Sequence, residues 1–241
     1  MRTPILAAAA LAAAQFPALA AGLGEPGFGA PAGFSWTGCY VGGHVGGVWG
    51  ESSKWIPRTP GGAFEGVSLG AHEVDGAIGG VQAGCDYQTA SGVVIGVTGD
   101  YGWSDADGTH PSARETGVFY HSEMEALASV GGRLGYAFDR VLVYVEGGAA
   151  WERVDYAAAT TMIGTAYRAS DTRAGWTIGG GGAYAFTERL SAFVEYGYYD
   201  FGTERITLTP QYSFLPTAYV DIEDTASVVR AGLNLRFGLG Q

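Results

Sequence analysis

Six charged residues stand where a strand of period two would carry them all to one face: Asp100, Glu125, Arg133, Glu146, Glu195 and Arg230. Four carboxylates and two guanidiniums gathered in a confined space can act in two ways. They can line a cation-selective path or position a proton, or they can neutralise one another as a buried structural network. Unpaired charge in a narrow interior is costly, so the structural reading is preferred, with Arg133, Glu146, Glu195 and Arg230 as its central members.

Other candidates are weaker. His121-Ser122-Glu123 contains the residue types of an acyl hydrolase, but neighbours on a strand alternate faces, so His121 and Ser122 point apart. His44, His72 and His110 have no matching partners, and Cys39 and Cys85 have no histidines at metal-ligand spacing. The expectation is a protein without enzymatic activity, cofactor or metal. Cys39 and Cys85 fall on the same parity of two successive segments, and a pairing whose residue numbers sum to 124 would set them opposite each other. A cross-strand disulfide and two free, lipid-buried thiols are the two readings.

The elements that position these residues are eight amphipathic segments. The last, Thr225 to Phe237, sets Val229, Ala231, Leu233, Leu235 and Phe237 against Arg230, Gly232, Asn234 and Arg236. The same alternation recurs from Cys39 to Trp49, Asp75 to Gln88, Val93 to Trp103, Glu123 to Ala137, Val141 to Val154, Asp171 to Phe186 and Leu190 to Phe201. In the fourth segment Met124, Ala126, Ala128 and Val130 oppose Glu125, Ser129 and Arg133. Tight turns at Thr89 to Gly92, Phe138 to Arg140 and Thr187 to Arg189 alternate with long polar loops, Glu51 to Val74, Ser104 to Ser122, Asp155 to Ser170 and Gly202 to Asp224.

An even number of strands with alternating short and long connections predicts an all-β fold, an eight-stranded antiparallel up-and-down transmembrane β-barrel. Two patterns support lipid on the apolar side. Aromatics of that face cluster at both ends of the strands, Tyr87, Tyr136, Tyr184, Phe186 and Phe237 at one, Trp49, Trp103, Trp151, Trp176 and Tyr198 at the other. The charged residues occupy the opposite, narrower face, the reverse of a soluble barrel with an apolar interior. The last strand should pair with the first at Tyr40 to Val48, leaving no edge.

Bulk composition agrees. Glycine is abundant, 41 of 241 residues, without a collagen-like period. Met1 to Ala20 reads as a signal peptide, with residues 21–35 a flexible lead-in and 36–241 the barrel. Thirteen Lys+Arg against 24 Asp+Glu leave a net charge of -11, or -12 once Arg2 departs with the leader, which makes nucleic acid a poor partner.

Four blocks carry a resemblance: Trp36-Thr37-Gly38-Cys39-Tyr40-Val41-Gly42-Gly43, Gly79-Gly80-Val81-Gln82-Ala83-Gly84, Gly132-Arg133-Leu134-Gly135-Tyr136-Ala137 and Val229-Arg230-Ala231-Gly232-Leu233-Asn234. Together they resemble the recurring blocks of the small Gram-negative outer-membrane β-barrel family, the porin-like or outer-membrane immunogenic proteins, over essentially the whole mature chain. The resemblance implies a monomeric barrel in the outer membrane with periplasmic termini and a structural, envelope-integrity and surface-display role. A small-solute porin and an adhesin are the alternatives. Its implied partners are outer-membrane lipids, lipopolysaccharide and the barrel assembly machinery. Two departures stand out: Cys39 replaces a usual aromatic, and Gly238-Leu239-Gly240-Gln241 follow Phe237, where many relatives stop.

Overall fold

A computed structural model describes residues 34–55, 68–112, 117–161, 164–212 and 218–237. The signal-peptide segment, most of the lead-in and the four-residue tail lie outside them. Eight strands, β1 (Gly38–Trp55), β2 (Ser68–Gln88), β3 (Val93–Pro111), β4 (Val118–Phe138), β5 (Val141–Thr160), β6 (Gly164–Ala185), β7 (Leu190–Pro210) and β8 (Ala218–Phe237), form a closed antiparallel barrel. β1 pairs with β2 in the register that sets Cys39 against Cys85, and with β8 from Cys39↔Phe237 to Trp55↔Asp221. The ring therefore has no free edge.

The three tight turns and both strand termini, Gly38 and Phe237, lie at one end, called here the turn end. Asp139 adopts a left-handed backbone there (φ 55°), a conformation aspartate tolerates better than most residues, and Gly92 does the same (φ 88°). The other end differs from the expected loops. Most of Glu51 to Val74, Ser104 to Ser122, Asp155 to Ser170 and Gly202 to Asp224 continues the strands, so the barrel wall projects as paired ribbons well past the tryptophans. Polar alternation there hid strands that have no apolar outer face.

The outer wall between the aromatic belts is apolar. Val45 is 71% exposed, Val97 62% and Leu235 59%, values that only a lipid environment makes favourable. On β1, Cys39 to Trp49 spans about 33 Å along the strand at ~3.3 Å per residue, or about 25 Å of thickness at a ~40° tilt, which matches the apolar band of an outer-membrane barrel.

Inside, the expectation of a charged lumen holds only in part. β8 displays the arrangement in its own sequence of inward residues: Arg236, Asn234, Arg230, then Val228 and Ala226, then Asp224, then Ile222 and Val220, all buried. Charged and apolar layers alternate up the lumen. At the turn end Phe34, Trp36, Leu142 and Phe193 fill the mouth. Val48, Ile78, Leu127, Tyr199 and Phe201 form a second apolar layer between the two charged ones, and Val154, Ile206, Val220 and Ile222 form a third near the ribbons. Eight strands leave room for side chains and little else, so the lumen is a packed core.

Trp36, the first residue of the expected barrel, precedes β1 and is the largest part of the mouth filling. It is 1% exposed, its indole N–H donates to the Asp139 carbonyl at 3.0 Å, and its backbone N–H donates to Gln88 Oε1 at 2.7 Å. The Arg236 guanidinium lies over its ring at 4.7 Å and also donates to its carbonyl. Phe34 N–H donates to Asp139 Oδ1 at 3.0 Å, so the strained turn residue anchors both aromatics.

Candidate functional site

Five of the six charged residues singled out in the sequence meet in one layer of the lumen. Arg133 on β4 and Glu146 on β5 are cross-strand partners, joined Nη2–Oε2 at 2.9 Å and Nε–Oε2 at 3.2 Å. Glu195 on β7 and Arg230 on β8 are likewise partners, joined Nη2–Oε1 at 2.5 Å and Nε–Oε1 at 2.8 Å. Arg230 also reaches Asp100 Oδ2 across the lumen at 2.8 Å and Glu146 Oε1 at 3.5 Å, while Arg133 lies 3.8 Å from Glu195.

Neutral groups complete this layer. The Tyr144 hydroxyl donates to Glu195 Oε2 at 2.8 Å, the Ser129 hydroxyl donates to Asp100, and the Arg133 guanidinium stacks 4.1 Å from the Tyr144 ring. Three carboxylates and two guanidiniums, each held by two or more partners, neutralise one another with one negative charge in excess. Close hydrogen bonding is what makes such burial tolerable. Beneath them Arg236 Nη1 lies 3.5 Å from Asp86 Oδ2, and Gln82 donates to Asn234 Oδ1 at 2.9 Å.

Glu125 is the exception and must be removed from the interior set. The register of β4 against β5 slips between Met124↔Val154 and Ala126↔Arg153, so β4 carries one extra residue, a β-bulge. Alternation counted straight along the strand fails past that point. Met124, expected on the lipid side, is buried in the lumen, and Leu127 joins it. Glu125 instead pairs outside with Arg153 at 2.7 Å, the two side chains 41% and 53% exposed.

The second charged layer escaped the sequence reading. Arg173 on β6 is 1% exposed and lies among Asp224 (Nη1–Oδ2 2.5 Å), Glu152 (3.5 Å) and Glu204 (3.7 Å). Its Nη2 donates to the carbonyls of Gly202 at 2.7 Å and Ile222 at 3.0 Å. This is the level at which β6 and β7 are unpaired, between Arg168↔Thr209 and Trp176↔Asp200, so the guanidinium takes carbonyls of β7 and β8 where the β6–β7 ladder is interrupted. Tyr156 donates to Asp224 Oδ2 at 2.5 Å. Its phenol lies beyond the tryptophan belt, where burial first and the Asp224 charge second push it above its ordinary range and keep it a donor.

A sequence signal for this layer existed. Asp224 shares the parity of Arg230, and Arg173 lies opposite in parity to Trp176. Asp224 is obscured because the expected last segment begins at Thr225, whereas Arg173 lies inside the sixth segment with no partner in view.

Cys39 and Cys85 are joined as a disulfide between directly opposed positions of β1 and β2. His121 and Ser122 part as expected: His121 Nδ1 shares a hydrogen bond with Thr109 Oγ1 at 2.9 Å, while Ser122 is buried on the lumen side. Gly66-Val67-Ser68-Leu69-Gly70 has nucleophile-elbow spacing, but Ser68–Gly70 belongs to β2, and such an elbow requires a strand-to-helix turn. His44 is buried in the lumen. His72 and His110 have side chains outside the described set.

Comparison with known proteins agrees with this architecture. The model of the outer membrane protein beta-barrel domain matches residues 5–237. The chain belongs to that family. It is 33% identical over 215 residues to the 31 kDa outer-membrane immunogenic protein of Brucella melitensis, covering 85% of each chain, and equally to that of Brucella suis. Among solved structures it is similar to the outer membrane protease OmpT of Escherichia coli (TM-score 0.56, 11% identity, 86% of this chain and 99% of that one). It is also similar to OprG of Pseudomonas aeruginosa (TM-score 0.50, 11% identity, 84% and 97%). At such identity these two establish a shared outer-membrane barrel fold and nothing about activity.

Proposed function

We propose that this outer-membrane barrel is a non-enzymatic structural and surface-display protein whose lumen does not conduct solutes. The observation that carries this reading is the lumen itself: two charged layers interleave with three apolar ones, and Trp36 and Phe34 fill the turn end. A porin needs a continuous wet passage, whereas each apolar layer here excludes water. The turn end faces the periplasm and the ribbons stand outward through the lipopolysaccharide layer, the usual arrangement of short turns and long connections. The ribbons are paired strands, a stiff outward-standing surface.

Purified folded protein in planar bilayers should give no stable single-channel steps. Reproducible steps abolished by heat unfolding would overturn the closed-lumen reading. A deletion strain should gain detergent sensitivity and permeability to bulky solutes, and loss of uptake for a small solute would instead favour a transport role.

A further inference from the structure

We infer that the outer charged layer holds one monovalent cation, of about sodium size, bound by Glu152, Asp224, Ser52 and Ser122. Beside the layer is a cavity of about 20 Å³ lined by these four residues, by Met124 and Val154, and by Glu51, which is exposed. That volume accommodates a single water-sized species.

Its polar atoms lack sufficient donors. Both carboxylate oxygens of Glu152, Asp224 Oδ1 and Ser52 Oγ have no hydrogen-bond partner among the described residues, although Glu152 is 1% and Ser52 3% exposed. Arg173 does not supply the missing donors. Its Nη1 is committed to Asp224 Oδ2, where Tyr156 also donates, its Nη2 is taken up by backbone carbonyls, its Nε is turned to Glu204 at 3.7 Å, and Glu152 lies at 3.5 Å from Nη1, beyond a strong hydrogen bond.

Glu152 and Asp224 against Arg173 leave one negative charge at the cavity, since the third carboxylate of the layer, Glu204, does not line it and is half exposed to solvent. A water molecule donates two hydrogen bonds, fewer than the three free carboxylate oxygens, and leaves that charge in place. A monovalent cation satisfies the carboxylates and the Ser52 hydroxyl together and brings the cavity to neutrality. A divalent ion would leave the layer positive and would want more carboxylate ligands than the cavity offers.

The experiment is thermal unfolding of the intact folded protein in detergent, titrated with sodium chloride against N-methylglucamine chloride at equal ionic strength. Sodium should raise the midpoint saturably, with an about eleven-fold gain in the folded-to-unfolded ratio at ten times the dissociation constant. The midpoint of Glu152→Gln should be the same in the two salts. Identical midpoints for the wild-type chain would show that water or a proton on Glu152 fills the cavity, and would overturn the inference. A sodium effect of equal size in Glu152→Gln would overturn it too, by assigning the effect elsewhere. If Glu152→Gln does not fold, Ser52→Ala removes a ligand without a charge and should raise the half-saturating sodium concentration by about three- to tenfold; an unchanged value sinks the proposal. In crystals soaked in thallium(I) nitrate, anomalous density should appear between Glu152 and Ser52, and its absence at full lattice exchange would count as refutation.

Discussion

Arg230 lies directly opposite Glu195 on the β7–β8 ladder and holds both its Nε and Nη2 within 2.8 Å of one carboxylate oxygen. The pair is at once a step of strand register and the centre of the inner charged layer. Its worth to the fold is therefore better read from removing one partner than from counting contacts. Glu195→Ala leaves Arg230 buried with one fewer anion and the Tyr144 hydroxyl without its acceptor. The loss should be about 3 to 5 kcal/mol, read from the urea midpoint of the detergent-folded protein, and Glu195→Met combined with Arg230→Met should recover much of it. Glu125→Gln should cost less than about 1 kcal/mol in the same assay, because its pair with Arg153 is half exposed. Equal losses at Glu125 and Glu195 would contradict the assignment of Glu125 to the outer surface.

Gly148 tests closure. A Cβ there would stand 2.1 Å from the Val130 carbonyl oxygen and 2.4 Å from Gly131 Cα, both backbone atoms that cannot swing away. Gly132, its near neighbour on the lipid side, would meet its nearest atom at 3.9 Å. Gly148→Ala should sharply reduce the fraction of protein with the faster, heat-modifiable gel migration of a folded barrel, while Gly132→Ala should leave it unchanged.

The disulfide gives a separate test. It links positions 46 residues apart, and closing a loop of that length removes enough unfolded-chain entropy to stabilise by about 2 to 4 kcal/mol. Mass spectrometry of the unreduced mature protein should find no alkylatable thiol. Cys39→Ser with Cys85→Ser should lower the unfolding midpoint accordingly while keeping the folded gel mobility, since the β1–β2 and β1–β8 ladders do not depend on it.

Trp36 is the test of the mouth filling. Trp36→Ala removes the largest fully buried side chain of the turn end, and should cost about 3 to 5 kcal/mol. The same variant should quench faster than wild type at the remaining buried aromatics when a small quencher is added, and unchanged quenching would argue that neighbouring side chains refill the site.

The sequence by itself determined the strand parity. Because side chains alternate strictly along a strand, Val229, Leu233 and Phe237 had to face lipid if Arg230 faced inward, and a register summing to 124 allowed Cys39 to oppose Cys85, the pairing that β1 and β2 adopt. Only the tertiary structure decided what breaks that arithmetic. One extra residue in β4 turned Met124 inward and Glu125 outward, an event set by pairing with β5 that periodicity along one strand cannot reveal. The outer charged layer was hidden for a related reason. Arg173, Glu152 and Asp224 come from three strands; Glu152 already stood opposite Trp151 in parity, but Asp224 lay where no apolar outer face marks the alternation. Their meeting depends on ring closure, which brings β6 next to the carbonyls of β7 and β8. Parity is a local consequence of backbone geometry, whereas the partners of a buried charge are fixed only when the barrel closes.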